Sequence, residues 1–401
     1  MTLTKKEAWK NIKIYGLINI ISGITFLVPI ISIFYKYTGL STAEIILISN
    51  IFTLWMWIFE LPTSVLWDTF WRKKSLMASV ICNFIFAAFI LFVPNLWGFC
   101  LAAVFQALYY SFRSWTWQAF LEENLSKTWE KDKFWRLFGK FTFYWEFPAI
   151  ITPVIASIIL KFAPDTWYTI LASLDCISAL ALIILTYQLT ETFQIKEKIQ
   201  SFKHAIMLNI DTWKNAIREV FGDKSVRNFL IYRGLSYHVA FFDVLLLPIL
   251  SEKGMIDWMS WVITTIFAIG SMFASKYAYK RWEKYGYNHA RAWSTICQAV
   301  CLIVSWILFK SRILLAILYF VFSVFNWIIQ PAWNHELVYR TNGKSIATTR
   351  SIIFACVALY MTFMKWILSY IQPNIALIII WVIMLAANAI FAKQMLAKRS
   401  D

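Results

Sequence analysis

The chain has 401 residues, of which 60% are hydrophobic and 15% charged, and a formal net charge of +16. Soluble domains are roughly 45–50% apolar, so a water-soluble globule is excluded and lipid must solvate most of this chain. The cationic excess could signal a nucleic-acid partner, but its placement along the chain assigns it to membrane topology, and no nucleic acid is expected.

A spanning helix needs about 20 apolar residues. Twelve runs qualify: 14–35, 42–64, 75–93, 96–117, 141–160, 166–188, 228–250, 257–275, 292–309, 313–333, 351–371 and 374–392. Lys5, Lys6, Lys10 and Lys13 precede the first, which is too long for the apolar core of a cleaved leader. Turn chemistry separates several runs: Thr38-Gly39-Leu40-Ser41, Pro94-Asn95, Ala163-Pro164-Asp165 and Gln372-Pro373-Asn374. Short connections imply antiparallel neighbours. The six cysteines lie inside apolar runs without metal-ligand spacing and read as small buried hydrophobes.

The second run closes on Glu60-Leu61-Pro62. Asp68 follows, then Arg72-Lys73-Lys74, and the third run begins at once. Ser64 to Leu76 resembles the signature loop of the major facilitator superfamily of secondary transporters, G-x-L-a-D-r-x-G-r-k-x-x-l. Leu66, Asp68, Arg72, Lys73 and Leu76 match, whereas Ser64 and Trp71 stand where the family has glycine. The motif also falls after a second apolar run, as it does in the family. The resemblance implies an all-α membrane fold of twelve transmembrane helices in two six-helix bundles. It further implies a cytoplasmic gate in which Asp68, Arg72 and Lys73 hold the two halves in one state.

Within the fourth and fifth runs, Gln106, Arg113 and Glu146 are polar groups at membrane depth. Such groups need a partner or a water-filled cavity. Glu146 reads either as a carboxylate that takes a proton during transport or as a fixed ion pair with Arg113. Asp175 in the sixth run has no evident partner.

The gap at 189–227 is amphipathic: Ile195, Ile199, Phe202, Ile206, Ile210, Trp213 and Ile217 recur at helical spacing among cations. It reads as a connector on the inner leaflet, or as a regulatory helix. The expected organisation is therefore an N-terminal bundle over 1–188, a connector over 189–227 and a C-terminal bundle over 228–401. Beyond the connector, Arg233, His238 and Asp243 punctuate the seventh run, Asn326 the tenth and Lys365 the eleventh, Lys365 either binding an anion or snorkelling. A degenerate copy of the signature loop follows Gly270, with Ala274 in place of the acid, and Gln330-Pro331-Ala332-Trp333-Asn334 also fits the family.

With the N-terminus inside, the inner segments carry 30 of the 38 Lys and Arg and the outer loops only 5. That bias predicts cytoplasmic termini in a cell inner membrane. By the resemblance, helices 1, 4, 7 and 10 line a central cavity. This makes Gln106, Arg113, His238, Asp243 and Asn326 cavity residues, with Glu146 beside them on the substrate and proton pathway.

No phosphate-binding glycine loop, zinc-protease helix or nucleophile elbow is present, so no cofactor, metal or catalytic set is expected. An ion gradient, protons first, is the energy source. The expected partners are a small-molecule substrate and the bilayer, with the chain a monomer. The reading is a proton-coupled, drug-efflux-like permease for amphipathic compounds, with a nutrient importer of the same fold as the alternative. A multi-pass membrane enzyme or a non-transporting sensor is the reading of another class. For that, Glu122-Glu123-Asn124 is the only faint catalytic candidate.

Tryptophan and glycine depart from usual usage in opposite directions, with 22 Trp and 11 Gly. The resemblance places Gly or Ala at Trp67, Trp71, Trp115 and Trp117. One reading is that many Trp stand for glycines, through UGA codons read under the wrong genetic code. The other is interfacial aromatic belts, although Trp55, Trp327, Trp366 and Trp381 fall inside runs.

Overall fold

The computed structural model describes residues 4–69, 72–113, 116–129, 134–163, 165–191, 220–236 and 346–368, with short stretches between 214 and 386. No strand occurs among the described residues. Contacts divide the chain into two units, Met1–Leu40 with Ile51–Lys214, and Ser41–Asn50 with Asn215–Asp401.

Helix α1 (Lys5–Ser22) starts on a capping box in which Thr4 and Glu7 satisfy each other's amides. A 3-10 turn (Val28–Ile30) and α2 (Ile31–Tyr37) follow. Gly39, at φ +89°, turns the chain, and Ser41 and Glu44 form a second capping box for α3 (Thr42–Thr69). Then come α4 (Arg72–Phe92), α5 (Leu96–Arg113), α6 (Thr116–Thr128), α7 (Phe134–Glu146), α8 (Pro148–Phe162) and α9 (Trp167–Tyr187). Asn95 caps α5 by accepting from the Gly98 amide at 3.0 Å, and Pro148 occupies the first position of α8. In the second unit, α10 (Lys224–Ser236) packs on α11 (Ile346–Leu368). Among the described residues, Thr42–Glu60, Arg72–Phe92, Phe143–Phe162 and Trp167–Tyr187 are long and apolar enough to cross a membrane.

Four boundaries depart from the sequence reading. The first run is not one helix, since residues 23–27 interrupt it. The second does not stop at Pro62; α3 continues to Thr69, as membrane helices tolerate proline when nearby groups re-satisfy the backbone. One residue on from the Ile58 carbonyl that Pro62 leaves without an amide donor, the Phe59 carbonyl accepts from the Thr63 hydroxyl at 2.6 Å. The stretch expected as a loop after the fourth run carries α6 and the start of α7. The fifth run divides at Phe147 into α7 and α8. Most of the 189–227 connector lies outside the described residues, and α10 begins within it, at Lys224.

The first unit is built on α4, which packs against α5 and α9, while α1 packs against α6, α7 and α9. Tyr15 anchors the buried cluster at one end, meeting Trp117 edge-on at 5.0 Å and Phe141 at 4.9 Å. Ile12, Ile18, Leu76, Val80, Leu121 and Leu125 fill the space around them. An aromatic group closes the opposite end, where Phe34 packs on Phe99 and Tyr168.

Tryptophans behave in different ways. Trp117 sits in the core rather than rotating out to lipid, although its indole nitrogen has no hydrogen-bond partner. Trp145 donates its indole N–H to the Ser22 carbonyl at 3.2 Å. Trp129 follows the last turn of α6 at φ +64°, in the left-handed region that glycine favours, and is 89% exposed. Trp67, Trp71 and Trp115 have side chains outside the described residues. The cysteines form no disulfide; Cys82 and Cys301 are buried and the other four partly so.

Candidate functional site

Helix α1 ends at Ser22 because Gly23 lies against the backbone of α7. A Cβ on Gly23 would come within 2.0 Å of the Trp145 carbonyl oxygen, so no other residue fits there. The chain resumes helical geometry only at Val28-Pro29-Ile30. Around this interruption lies a cavity of about 110 Å³ within the first unit.

Its walls come from the interruption and the helices around it. The interruption itself contributes Ser22 to Thr25 and Val28. Helix α4 contributes Asn83, Phe86 and Ala87. Helix α5 contributes Gln106, Tyr109, Tyr110 and Arg113. Trp145, Glu146, Asp175 and Ser178 complete it from α7 and α9. The cavity thus gathers three residues expected on the pathway, Gln106, Arg113 and Glu146, and adds Asp175.

Arg113 does not spend its donors on Glu146. Its Nη1 donates to the Tyr109 hydroxyl and its Nη2 to Ser22 Oγ at 3.2 Å. The guanidinium also stands over the Tyr109 and Trp117 rings, at 5.4 and 5.9 Å from their centroids. Its charge is thereby held at the interruption by aromatic faces and hydroxyls. Glu146 is buried at the last residue of α7.

Asp175 gains a clear position. Its Oδ1 accepts from the Phe26 amide at 2.7 Å and its Oδ2 from the Leu27 amide at 3.0 Å. Sequence reasoning saw this acid but could not place it. The signal that could have done so is Ser22-Gly23 followed by Pro29, which marks a break whose amides need an acceptor.

At the far end of α3, Asp68 lies in the last helical turn, its side chain outside the described residues. Arg72 pairs with Glu123 at 3.1 Å. The Lys73 ammonium donates to the Tyr187 carbonyl at 2.7 Å and the Lys73 amide to Glu191 at 3.0 Å. The loop's cations therefore tie α4 to α6 and to the end of α9. In the second unit, Lys365 is buried and donates to Ser49 Oγ at 2.9 Å. His238, Asp243 and Asn326 lie outside the described residues. No group of acids, cysteines and histidines suited to a metal occurs among the described residues.

Many solved structures are similar in fold. A nucleoside transporter, NupG, aligns with a TM-score of 0.70 at 12% identity, covering 97% of this chain and 99% of that one. The xylose transporter XylE from E. coli, in a partially occluded inward-open conformation, gives 0.67 at 15%, covering 97% and 98%. A POT family transporter in complex with a thioalcohol-conjugated peptide gives 0.69 at 11%, covering 98% and 96%. Among curated protein sequences none matches. The family model of the Major Facilitator Superfamily matches residues 15–363. The chain therefore belongs to the Major Facilitator Superfamily and has its all-α, twelve-helix membrane fold.

Proposed function

We propose that this chain is a proton-coupled secondary transporter that exports small amphipathic compounds by alternating access. The observation that carries this reading is the cavity in the first unit. It joins two carboxylates and a guanidinium to the aromatic faces of Phe86, Tyr110 and Trp145. A carboxylate among spanning helices is costly to keep charged, so uptake and release of a proton are its natural chemistry. Glu146 is the proposed carrier, and Arg113 the fixed charge in the same cavity. Gln106 and Asn83 supply hydrogen bonds to a polar part of the cargo, and the rings supply area for a flat apolar part.

Alternating access then exposes this cavity to one face of the membrane at a time. In the proposed gate, Asp68 acts with Arg72 and Lys73, whose contacts to Glu123 and Tyr187 set their positions. His238, Asp243 and Asn326 are proposed as second-half counterparts. The chain works as a monomer in the inner membrane with both termini cytoplasmic, has no enzymatic step, and takes its energy from the gradient.

The second reading is import of a polar nutrient, favoured by the polar wall of Asn83, Gln106 and Arg113. Vesicles of both orientations with an imposed pH gradient separate the two. Export predicts that inverted, acid-interior vesicles accumulate a lipophilic cationic dye and lose it when a protonophore is added. Gradient-driven uptake of a sugar or nucleoside into right-side-out vesicles would instead establish import. Accumulation that survives collapse of both the pH gradient and the membrane potential would remove proton coupling.

A further inference from the structure

Within the interruption at residues 23–27, the Gly23 and Ile24 amides still reach carbonyls of α1, but those of Phe26 and Leu27 do not. Lipid cannot serve them, so irregular backbone at membrane depth persists only where protein or a cavity satisfies it. Asp175 does this from α9, about 12 Å along that helix from Trp167 at 1.5 Å rise per residue. Both of its oxygens are committed, one to Phe26 and one to Leu27. The other side of the interruption is gripped as well. Arg113 donates to the Ser22 hydroxyl, Trp145 donates to the Ser22 carbonyl, and Gly23 lies against the α7 backbone. Three helices thus hold a segment of non-helical chain that forms one wall of the cavity.

We propose that Asp175 is a proton-operated clasp on this segment. Ionised, it accepts from both amides and holds the 23–27 wall against α9. A proton arriving through the cavity adds to one carboxylate oxygen and converts it from acceptor to donor. The amide that oxygen served is left facing a donor, no heavy-atom bond changes, and the wall is released. When the proton leaves again the clasp re-forms. A ligand or proton shifts a two-state element only through such a difference in interaction between the states.

The charged and titratable groups that face Asp175 across the cavity are few. Helix α5 presents Arg113, Tyr109 and Tyr110, and α7 presents Glu146. Helix α4 lines the cavity with the neutral Asn83, and the interruption carries no ionisable side chain. Cys176 adjoins on α9 itself. The proposal rests on the proton-coupled reading and adds that the acid which moves the wall is not Glu146.

Ile24 lines the cavity within the interruption and reports its release. The test uses the full chain in proteoliposomes, with the six native cysteines replaced and Ile24→Cys introduced. A membrane-impermeant maleimide then measures labelling, normalised to Trp97→Cys at an exposed helix start to cancel thiol ionisation. With Asp175 present, the normalised rate should rise about fivefold or more between about pH 8 and about pH 5. Asp175→Asn should label at the fast rate at both values, and Asp175→Glu should restore the response. A flat response with Asp175 present overturns the clasp, and so does a normal response in Asp175→Asn. If Asp175→Asn does not fold, the first measurement decides alone. Glu146→Gln separates this from the transport reading: it should abolish uphill transport and leave the labelling response in place. A response that disappears with Glu146→Gln assigns the switch to Glu146 and overturns the clasp. A clasp that responds in a protein lacking proton-driven transport would overturn the transport reading alone.

Discussion

Two of the places where the first unit buries polar groups differ in kind. Near the signature loop, Asn11 on α1 donates to Asn124 at 2.9 Å and to the Thr190 carbonyl at 3.0 Å, and accepts from the Thr190 amide at 2.9 Å. Asn124 in turn donates to the Phe120 carbonyl at 2.7 Å. Asn11 and Asn124 are fully buried, and none of these groups titrates. Around the interruption the partners are instead a carboxylate, a guanidinium and hydroxyls, facing a cavity. A saturated neutral network has one good arrangement and locks α1 to α6 and to the end of α9. A charged set around non-helical backbone has a different best arrangement for each protonation state. On the proposed reading, the same helix α1 is fastened at its N-terminal half and adjustable where it stops.

The strongest way to break this contrast is Glu146→Gln. Uphill accumulation should fall to that of empty vesicles, while downhill exchange of the same substrate continues. Retained accumulation would move Glu146 from the adjustable region to the structural one. Next is Asn11→Ala, which leaves the Thr190 amide and a buried Asn124 oxygen without partners. A loss of about 2–3 kcal/mol is expected in denaturant unfolding in detergent, against a smaller loss for Ser22→Ala, because the Arg113 donor it frees faces the cavity. Equal losses would mean that both regions are simply structural.

Trp129→Gly sharpens the picture of the fastened end, because Trp129 terminates the helix that carries Asn124. A bulky residue at φ +64° costs about 1 kcal/mol relative to glycine, so the variant should unfold at a higher denaturant concentration. The same argument sorts the tryptophans by codon. Trp129 is expected to be UGA in the gene. Trp145, which uses its indole N–H, and Trp167, buried 5.3 Å from the Tyr37 ring, are expected to be UGG. Sequencing the gene checks all three.

The smallest effect is at Glu7, whose carboxyl is held below its ordinary value first by the Thr4 amide and then by the Thr4 hydroxyl. A depressed acid contributes its stabilisation above the ordinary value and loses it as pH falls through the lowered one. Amide exchange over the first turn of α1, relative to its intrinsic rate, should therefore quicken as pH falls through and below the ordinary carboxylate range, and Glu7→Gln should remove that pH dependence.

Much of the fold is legible in the chain. Spanning runs follow from length and hydropathy, because lipid tolerates few alternatives to a continuous apolar helix. The signature loop is visible because Asp68 and the cations from Arg72 to Lys74 interrupt apolar sequence abruptly. Gln106, Arg113 and Glu146 stand out for the same reason, as polar groups where lipid should be. Trp129 was not among the positions where the resemblance asks for glycine, since its backbone angle depends on where α6 ends.

The arrangement of these groups depends on contacts between distant parts of the chain. Residues 14–35 read as one span, since hydropathy is blind to a break whose residues are themselves apolar. The break exists because Gly23 meets α7 and because Asp175 accepts the two amides that a continuous helix would have bonded internally. Asp175 is 148 residues from Leu27 and 149 from Phe26, and its direction on α9 comes from how that helix packs against α1 and α4. Likewise Arg113 turns to Ser22 and Tyr109 because the interruption brings a hydroxyl within its reach. A local pattern can mark a buried charge as needing a partner, but packing between helices chooses which one it meets.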